Sequence, residues 1–244
     1  MGASVIGSIV GLGGGFIAVP ILRVFFHLAP GVAAGASLVL VFANTLSASV
    51  QFARQKRVAF DLAIPIALCA IPGSIFGAIL SAHVSGPVFD TAYAIFLSAV
   101  AIDVLRRTVR KTTQPSRTEL ALRKPRWYFI LLAGLVVGFI SSLFGIGGGV
   151  VVIPLLLFAT SEEMHVVTAT STAIIAMTAP VGIITQGFQH DLVWPICIAL
   201  AAAGLVGGQL GALVAQRISS SQLSVFLAFM MVLAAAGMVL RNVL

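Results

Sequence analysis

From Trp127 to Ala159 the chain carries no charged residue, and near the middle of that stretch stands "GIGGG", residues 145–149, followed by Pro154. A helix crossing a hydrocarbon core of about 30 Å needs about 20 apolar residues. The stretch is therefore too long for one span, and it carries the poorest helix formers at its centre. Inside a bilayer, backbone can leave the helix only where protein or a water-filled cavity satisfies its amides and carbonyls. A broken or re-entrant segment, enclosed by other helices, is what such a stretch predicts.

The same device occurs a second time. "GLGGGFIAVP" at residues 11–20 matches "GIGGGVVVIP" at 145–154, an offset of 134 that continues without a gap for about the next hundred residues. Under this offset Gly13, Gly14, Gly15 and Pro20 fall on Gly147, Gly148, Gly149 and Pro154. Ser37 falls on Ser171, Gln55 on Gln189, Gly73 on Gly207 and Gly77 on Gly211. The expected organisation is two homologous four-segment repeats, residues 1–107 and 127–244, joined by a linker at 108–126.

Of the 244 residues, 59% are hydrophobic and 9% charged, with a mean hydropathy of +1.12. Soluble domains carry about 25% charged residues, so so little charge could not clothe a water-facing surface. Apolar runs of spanning length lie near 1–23, 31–53, 60–82, 87–105, 127–158, 165–187, 192–215 and 222–243. They lack the strict alternation of barrel strands. The expected fold class is an all-α polytopic membrane protein of about eight hydrophobic helices, two of them broken or re-entrant at glycine.

The net charge of +7 falls mainly between apolar runs, where topology explains it better than nucleic acid does. Residues 106–126 hold Arg106, Arg107, Arg110, Lys111, Arg117, Arg123, Lys124 and Arg126 against one acid, Glu119, which places this linker in the cytoplasm. Trp127, Tyr128 and Trp194 stand at run ends, where an amphipathic ring suits the headgroup level. Cys69 and Cys197 lie within apolar runs without a metal-ligand spacing, so no metal, cofactor or redox pair is expected. The amino-terminal run lacks the pattern of a cleaved signal and is assigned to the fold.

Two topologies satisfy these runs. If every glycine segment crosses, the repeats are parallel; if each re-enters, they are inverted. Arg54, Lys56 and Arg57 follow the second segment, whereas the counterpart loop holds Gln189, His190 and Asp191 and no Lys or Arg. Opposite placement of equivalent loops favours inversion; Arg23 and Arg241, which inversion puts outside, argue against it.

Glycines four apart, such as Gly73 and Gly77 or Gly207 and Gly211, are explained by close helix packing. Four glycines in five positions exceed that need and point to a break aiming half-helix N-termini, the positive dipole ends, at a cavity. Neither glycine run is a phosphate loop or a dinucleotide fingerprint, since Phe16 and Val150 occupy the last position and no Lys-Ser/Thr follows. The second segment of each half adds uncharged donors. Ser37, Asn44 and Gln51 recur every seven residues, as do Ser171, Thr178 and Thr185 at the offset positions, with Thr172 beside them. Such groups meet an oxyanion without the cost of burying a charge; interhelical hydrogen bonding is their ordinary alternative. The candidate anion-binding set is thus Gly13, Gly14, Gly15, Ser37, Asn44, Gln51, Gly147, Gly148, Gly149, Ser171, Thr172 and Thr178, with no catalytic residue.

The paired GxGGGxxxxP motifs, "GASL" and "ATST" at equal spacing behind them, and the basic linker together resemble the TauE/SafE family of sulfite and organosulfonate exporters, over essentially the whole chain. The resemblance implies a permease of the bacterial inner membrane that exports a small sulfur-containing anion such as sulfite or sulfoacetate. The partners expected are that anion and the lipid bilayer, and a homo-oligomer is compatible with the sequence. Asp61, Asp90, Glu162, Glu163 and Asp191 lie at run ends and Asp103 near Arg106 and Arg107, while all four histidines fall at run ends. No intramembrane proton relay and no buried Ser-His pair for a protease is expected. A passive anion channel is the main alternative.

Overall fold

The computed structural model describes residues 2–10, 12–109, 127–159, 164–189, 192–214 and 229–238. Among them it is all helix and turn: α1 (Gly2–Val10), α2 (Gly15–Val24), α3 (Pro30–Arg54), α4 (Phe60–His83), α5 (Gly86–Val109), α6 (Trp127–Phe144), α7 (Gly149–Ala159), α8 (Met164–Gln189), α9 (Trp194–Val214) and α10 (Phe229–Met238). Five are long and apolar enough to cross a membrane, within α3, α4, α5, α8 and α9. The protein is an integral membrane protein of polytopic, all-helical type. The first and fifth apolar runs each contain two helices, separated at the glycines. Gly11, most of the basic linker, Glu162, Glu163, His190, Asp191 and Arg241 lie outside the described residues.

Helix directions follow from which residues touch. Along α3 and α9 numbers rise together: a side chain on Gly204 would meet Leu40 and Ala43, and one on Gly208 would meet Asn44 and Ser47. Those helices are parallel. In α1, Ser4 abuts Gly207 and Ser8 abuts Gly211, so α1 runs the same way. Then the chain reverses. Gly13 touches Val41 and Thr45, Gly15 touches Val41, Ala18 packs with Leu40, and Leu22 packs with Ala33 and Ala36, an antiparallel order. Gly7 lies against the backbone of Gly13 and Gly14, closing the hairpin. In the same manner Gly148 folds back onto Val137 and Ser141 of α6. At 9 to 11 residues, α1, α2 and α7 rise about 14–17 Å each, about half the core.

α3 and α8 pass each other in opposite directions: Gly35 meets Gln186, Leu38 meets Gly182, and Ala48 and Phe52 cluster with Ala169. α4 and α6 are parallel and in backbone contact, with Gly73 and Gly77 against Leu135, Phe139 and Leu143, and Gly134 and Gly138 against Ile66, Cys69 and Ala70. Lipid tails are as apolar as leucine, so association here depends on such close approach more than on hydrophobic expulsion. Packing therefore explains Gly73, Gly77, Gly207 and Gly211.

Gly77→Ala puts a methyl against the Phe139 carbonyl, whereas nothing lies within 4 Å of a side chain at Gly237. Overpacking costs about 1–3 kcal/mol, so Gly77→Ala is expected to lower the thermal midpoint in detergent and Gly237→Ala to leave it unchanged or raised. Equal midpoints would contradict the close α4–α6 contact.

Candidate functional site

The two glycine turns use backbone that side chains rarely adopt. Gly13 and Gly14 have φ of 75° and 84°, and Gly145, Gly147 and Gly148 have 69°, 87° and 76°. A residue with a Cβ pays about 1–2 kcal/mol there. Gly14 is the N-cap of α2 and, having no side chain, caps nothing; the first-turn amides of a helix have no partner within it. α7 starts likewise at Gly149. The two tips touch, since a side chain on Gly15 would strike Gly145 O and Ile146. Val41 of α3 touches Gly13, Gly15 and Gly147, and Ile175 of α8, its offset partner, touches Gly147. Both tips are buried, and both lie midway along the long helices.

Ser37 lies in this junction. Its hydroxyl donates to Gly145 O at 2.8 Å, with Gly15 O at 3.4 Å, linking the two turns. Asn44 is wholly buried one turn beyond Val41; it accepts from the Ser8 hydroxyl and donates to Ser4 O at 2.7 Å, anchoring α1 to α3. Thr172 and Thr178 turn back on their own helix, to Thr168 O at 2.7 Å and Ile175 O at 3.3 Å. Ser171 is fully buried. Gln51 is remote from the tips and lines a cleft between α3 and α9 with Ser47, Arg54 and Gln209. Of the expected set, Gly13, Gly15, Gly147 and Ser37 meet at the centre, with Gly14, Gly148 and Gly149 in the same turns; Asn44 holds one arm, and Gln51 belongs elsewhere.

Three sets of contacts escaped the sequence reading. Arg23 and Asp90, placed at run ends by sequence, form a buried pair with side chains 3% and 2% exposed. Arg23 Nε reaches Oδ1 at 2.8 Å and Nη2 reaches Oδ2 at 2.7 Å, while Nη1 donates to Leu28 O at 2.6 Å. The guanidinium lies over the Phe89 ring, 5.8 Å from its centroid. Arg23 is thus buried against α5 in the structure. Tyr93, one turn along α5, donates to Phe16 O at 3.3 Å. That carbonyl needs a donor because Pro20, four residues on, has no N–H. Gln186, buried like Asn44, donates to Ser142 O at 2.9 Å and to Ser81 at 3.2 Å. Sequence spacing carries no signal for contacts between residues 67 or 77 positions apart; only Pro20, by orphaning Phe16 O, announced that some donor must come.

This arrangement can hold two helix N-termini, and their dipoles, face to face in an apolar interior. The profile of the family described as "Sulfite exporter TauE/SafE" matches residues 1–238. The chain belongs to the TauE/SafE family. Among relatives of this TauE/SafE protein, "Probable membrane transporter protein MJ0441" of Methanocaldococcus jannaschii is 29% identical over 238 residues, 91% of this chain and 86% of that one. "Probable membrane transporter protein YunE" of Bacillus subtilis is 24% identical, over 99% of this chain and 95% of its own. A "Probable membrane transporter protein" of Xylella fastidiosa is 30% identical, over 88% and 82%. No solved structure matches the chain. As a TauE/SafE protein it is a membrane transporter and not an enzyme.

Asp90→Asn leaves the Arg23 charge buried and unpaired, which costs about 3–5 kcal/mol. The apolar double variant Arg23→Met/Asp90→Leu is expected to recover most of that loss, and Tyr93→Phe to cost only about 1 kcal/mol. Thermal unfolding in detergent measures all three; an unchanged Asp90→Asn midpoint would show that the pair does not hold α2 to α5.

Proposed function

We propose that the protein exports a small sulfur-containing anion, sulfite or a short organosulfonate, across the plasma membrane through a site at the meeting point of the two glycine turns. The observation that carries this reading is the convergence of the α2 and α7 N-termini midway along α3 and α8. Half-helix N-termini near the midplane suit anionic groups, and transporter sites occur where repeats meet. The donors would be the first amides after Gly14 and Gly148, with Gly13, Gly15, Gly147 and Gly149 keeping side chains out of the way. Ser37 and Ser171 would bracket the anion from α3 and α8, and Thr172 and Thr178 would take part only after turning from their own helix. The sulfur anion itself is suggested by the family description.

The same reading takes residues 1–107 and 127–244 as two repeats of inverted topology, joined by a cytoplasmic linker at 108–126. Two observations support it. α3 and α8, which the offset of 134 relates, run antiparallel, and the chain doubles back at each glycine turn. The repeats interlock, each placing its leading hairpin arm on the third segment of the other: α1 on α9, α6 on α4. Val41 and Ile175 are fully buried at the tips, and on this reading access requires one hairpin to move against α3 or α8.

Flux of sulfite, sulfoacetate, sulfate and chloride into proteoliposomes, with protein-free vesicles as reference, tests the reading. Saturable sulfite or sulfoacetate flux with counterflow is expected; flux without saturation or counterflow would make it a channel. Gly14→Leu and Gly148→Leu are each expected to reduce that flux at least tenfold in protein that still elutes as a single folded species. Undiminished flux in both variants would remove the glycine turns from the pathway.

A further inference from the structure

We propose that the cleft between the C-terminal halves of α3 and α9 is a binding site for one anionic glycerophospholipid. The site is separate from the glycine turns and does not depend on what is transported. α3 and α9 touch closely at Gly204 and Gly208, where backbone meets Leu40, Ala43 and Asn44. Ser47 makes the last tie, donating to Leu205 O at 3.0 Å. Beyond it the helices frame a cleft of about 390 Å³ lined by Leu46, Ser47, Val50, Gln51, Arg54, Leu205, Gln209 and Leu213.

The lining is amphiphilic along its length. Leu46, Val50, Leu205 and Leu213 are 42–52% exposed and make apolar walls suited to an acyl chain. Arg54, in the last turn of α3, stands at the end of the cleft with the Gln51 and Gln209 amides nearby, and Lys56 and Arg57 follow immediately. No acidic residue lines the cleft. A guanidinium with neighbouring amide donors matches a phosphodiester, and basic residues at the membrane surface attract anionic lipid. A cleft of this volume, lined by four aliphatic and four polar side chains, is proportioned for an amphiphile; a free inorganic anion gains nothing from four aliphatic walls.

The offset of 134 sharpens the argument. The positions equivalent to Gln51, Arg54 and Gln209 are Thr185, Phe188 and Ile75, and those equivalent to Leu205 and Leu213 are Ile71 and Ile79. None of these positions holds a cation. Duplication alone would have given two alike faces, so the cation and the amides mark one face, at one end of the bundle.

The test titrates the full chain in detergent with dioctanoyl phosphatidylglycerol, dioctanoyl phosphatidylcholine or glycerol 3-phosphate, following single-ligand adducts by native mass spectrometry. Phosphatidylglycerol is expected to bind about fivefold tighter than phosphatidylcholine. Arg54→Gln is expected to erase that preference, while Arg106→Gln, an equal loss of charge at an exposed position of α5, keeps it. Glycerol 3-phosphate is expected not to displace the lipid. Gln209→Leu, expected to weaken phosphatidylglycerol selectively, gives the same readout if Arg54→Gln does not fold. Equal binding of both lipids, equal effects of Arg54→Gln and Arg106→Gln, or displacement by glycerol 3-phosphate would each overturn the proposal.

Discussion

Backbone that leaves the helix inside an apolar layer must have its polar groups met by protein, and the packing at the centre follows from that requirement. At the two glycine turns the chain adopts φ values near +70° to +90°, and neighbouring helices supply the missing partners. Ser37 donates to Gly145 O, Tyr93 takes the carbonyl orphaned by Pro20, and Asn44 binds Ser4 O in the arm leading to the first turn. Each donor comes from a different part of the chain than the group it satisfies. The turns are thus points where distant segments are tied together.

Those ties shape how the molecule holds together. α1 rests on α9 and α6 on α4, so each hairpin arm depends on helices more than 60 positions away in sequence. Small residues at Gly73, Gly77, Gly134, Gly138, Gly204, Gly207, Gly208 and Gly211 let backbones meet. The Arg23–Asp90 pair and Tyr93 fix α2 against α5 at both ends. The α3–α8 crossing is lined by Val41, Ile175, Ala48 and Ala169.

Composition and period made the class legible: so little charge over runs of this length leaves only helices in a membrane. The glycine turns were legible too, because four glycines in five positions have few structural uses. The polar faces were misjudged in part. A seven-residue recurrence correctly put Ser37 and Asn44 on one side of α3, but periodicity cannot say whether a hydroxyl faces a cavity, another helix or its own carbonyl. Thr172 and Thr178 took the last course and Asn44 the second. Arg23 and Asp90 looked like ordinary run-end charges, since burial of a run end depends on where a neighbouring helix begins. Gln51 was assigned to the central pathway because it shares the heptad of Ser37; about four further turns of helix carry it out to the α3–α9 cleft.

The central claim is that two equivalent hairpins meet tip to tip from opposite sides of the membrane. The most direct measurement is sidedness of labelling. Single cysteines at Lys56, after α3, and at Gln189, at the end of α8, are placed in a background with Cys69 and Cys197 replaced by alanine. An impermeant maleimide is then applied to intact cells and to inside-out vesicles. The account predicts that the two positions label from opposite faces; labelling of both from the same face would contradict it.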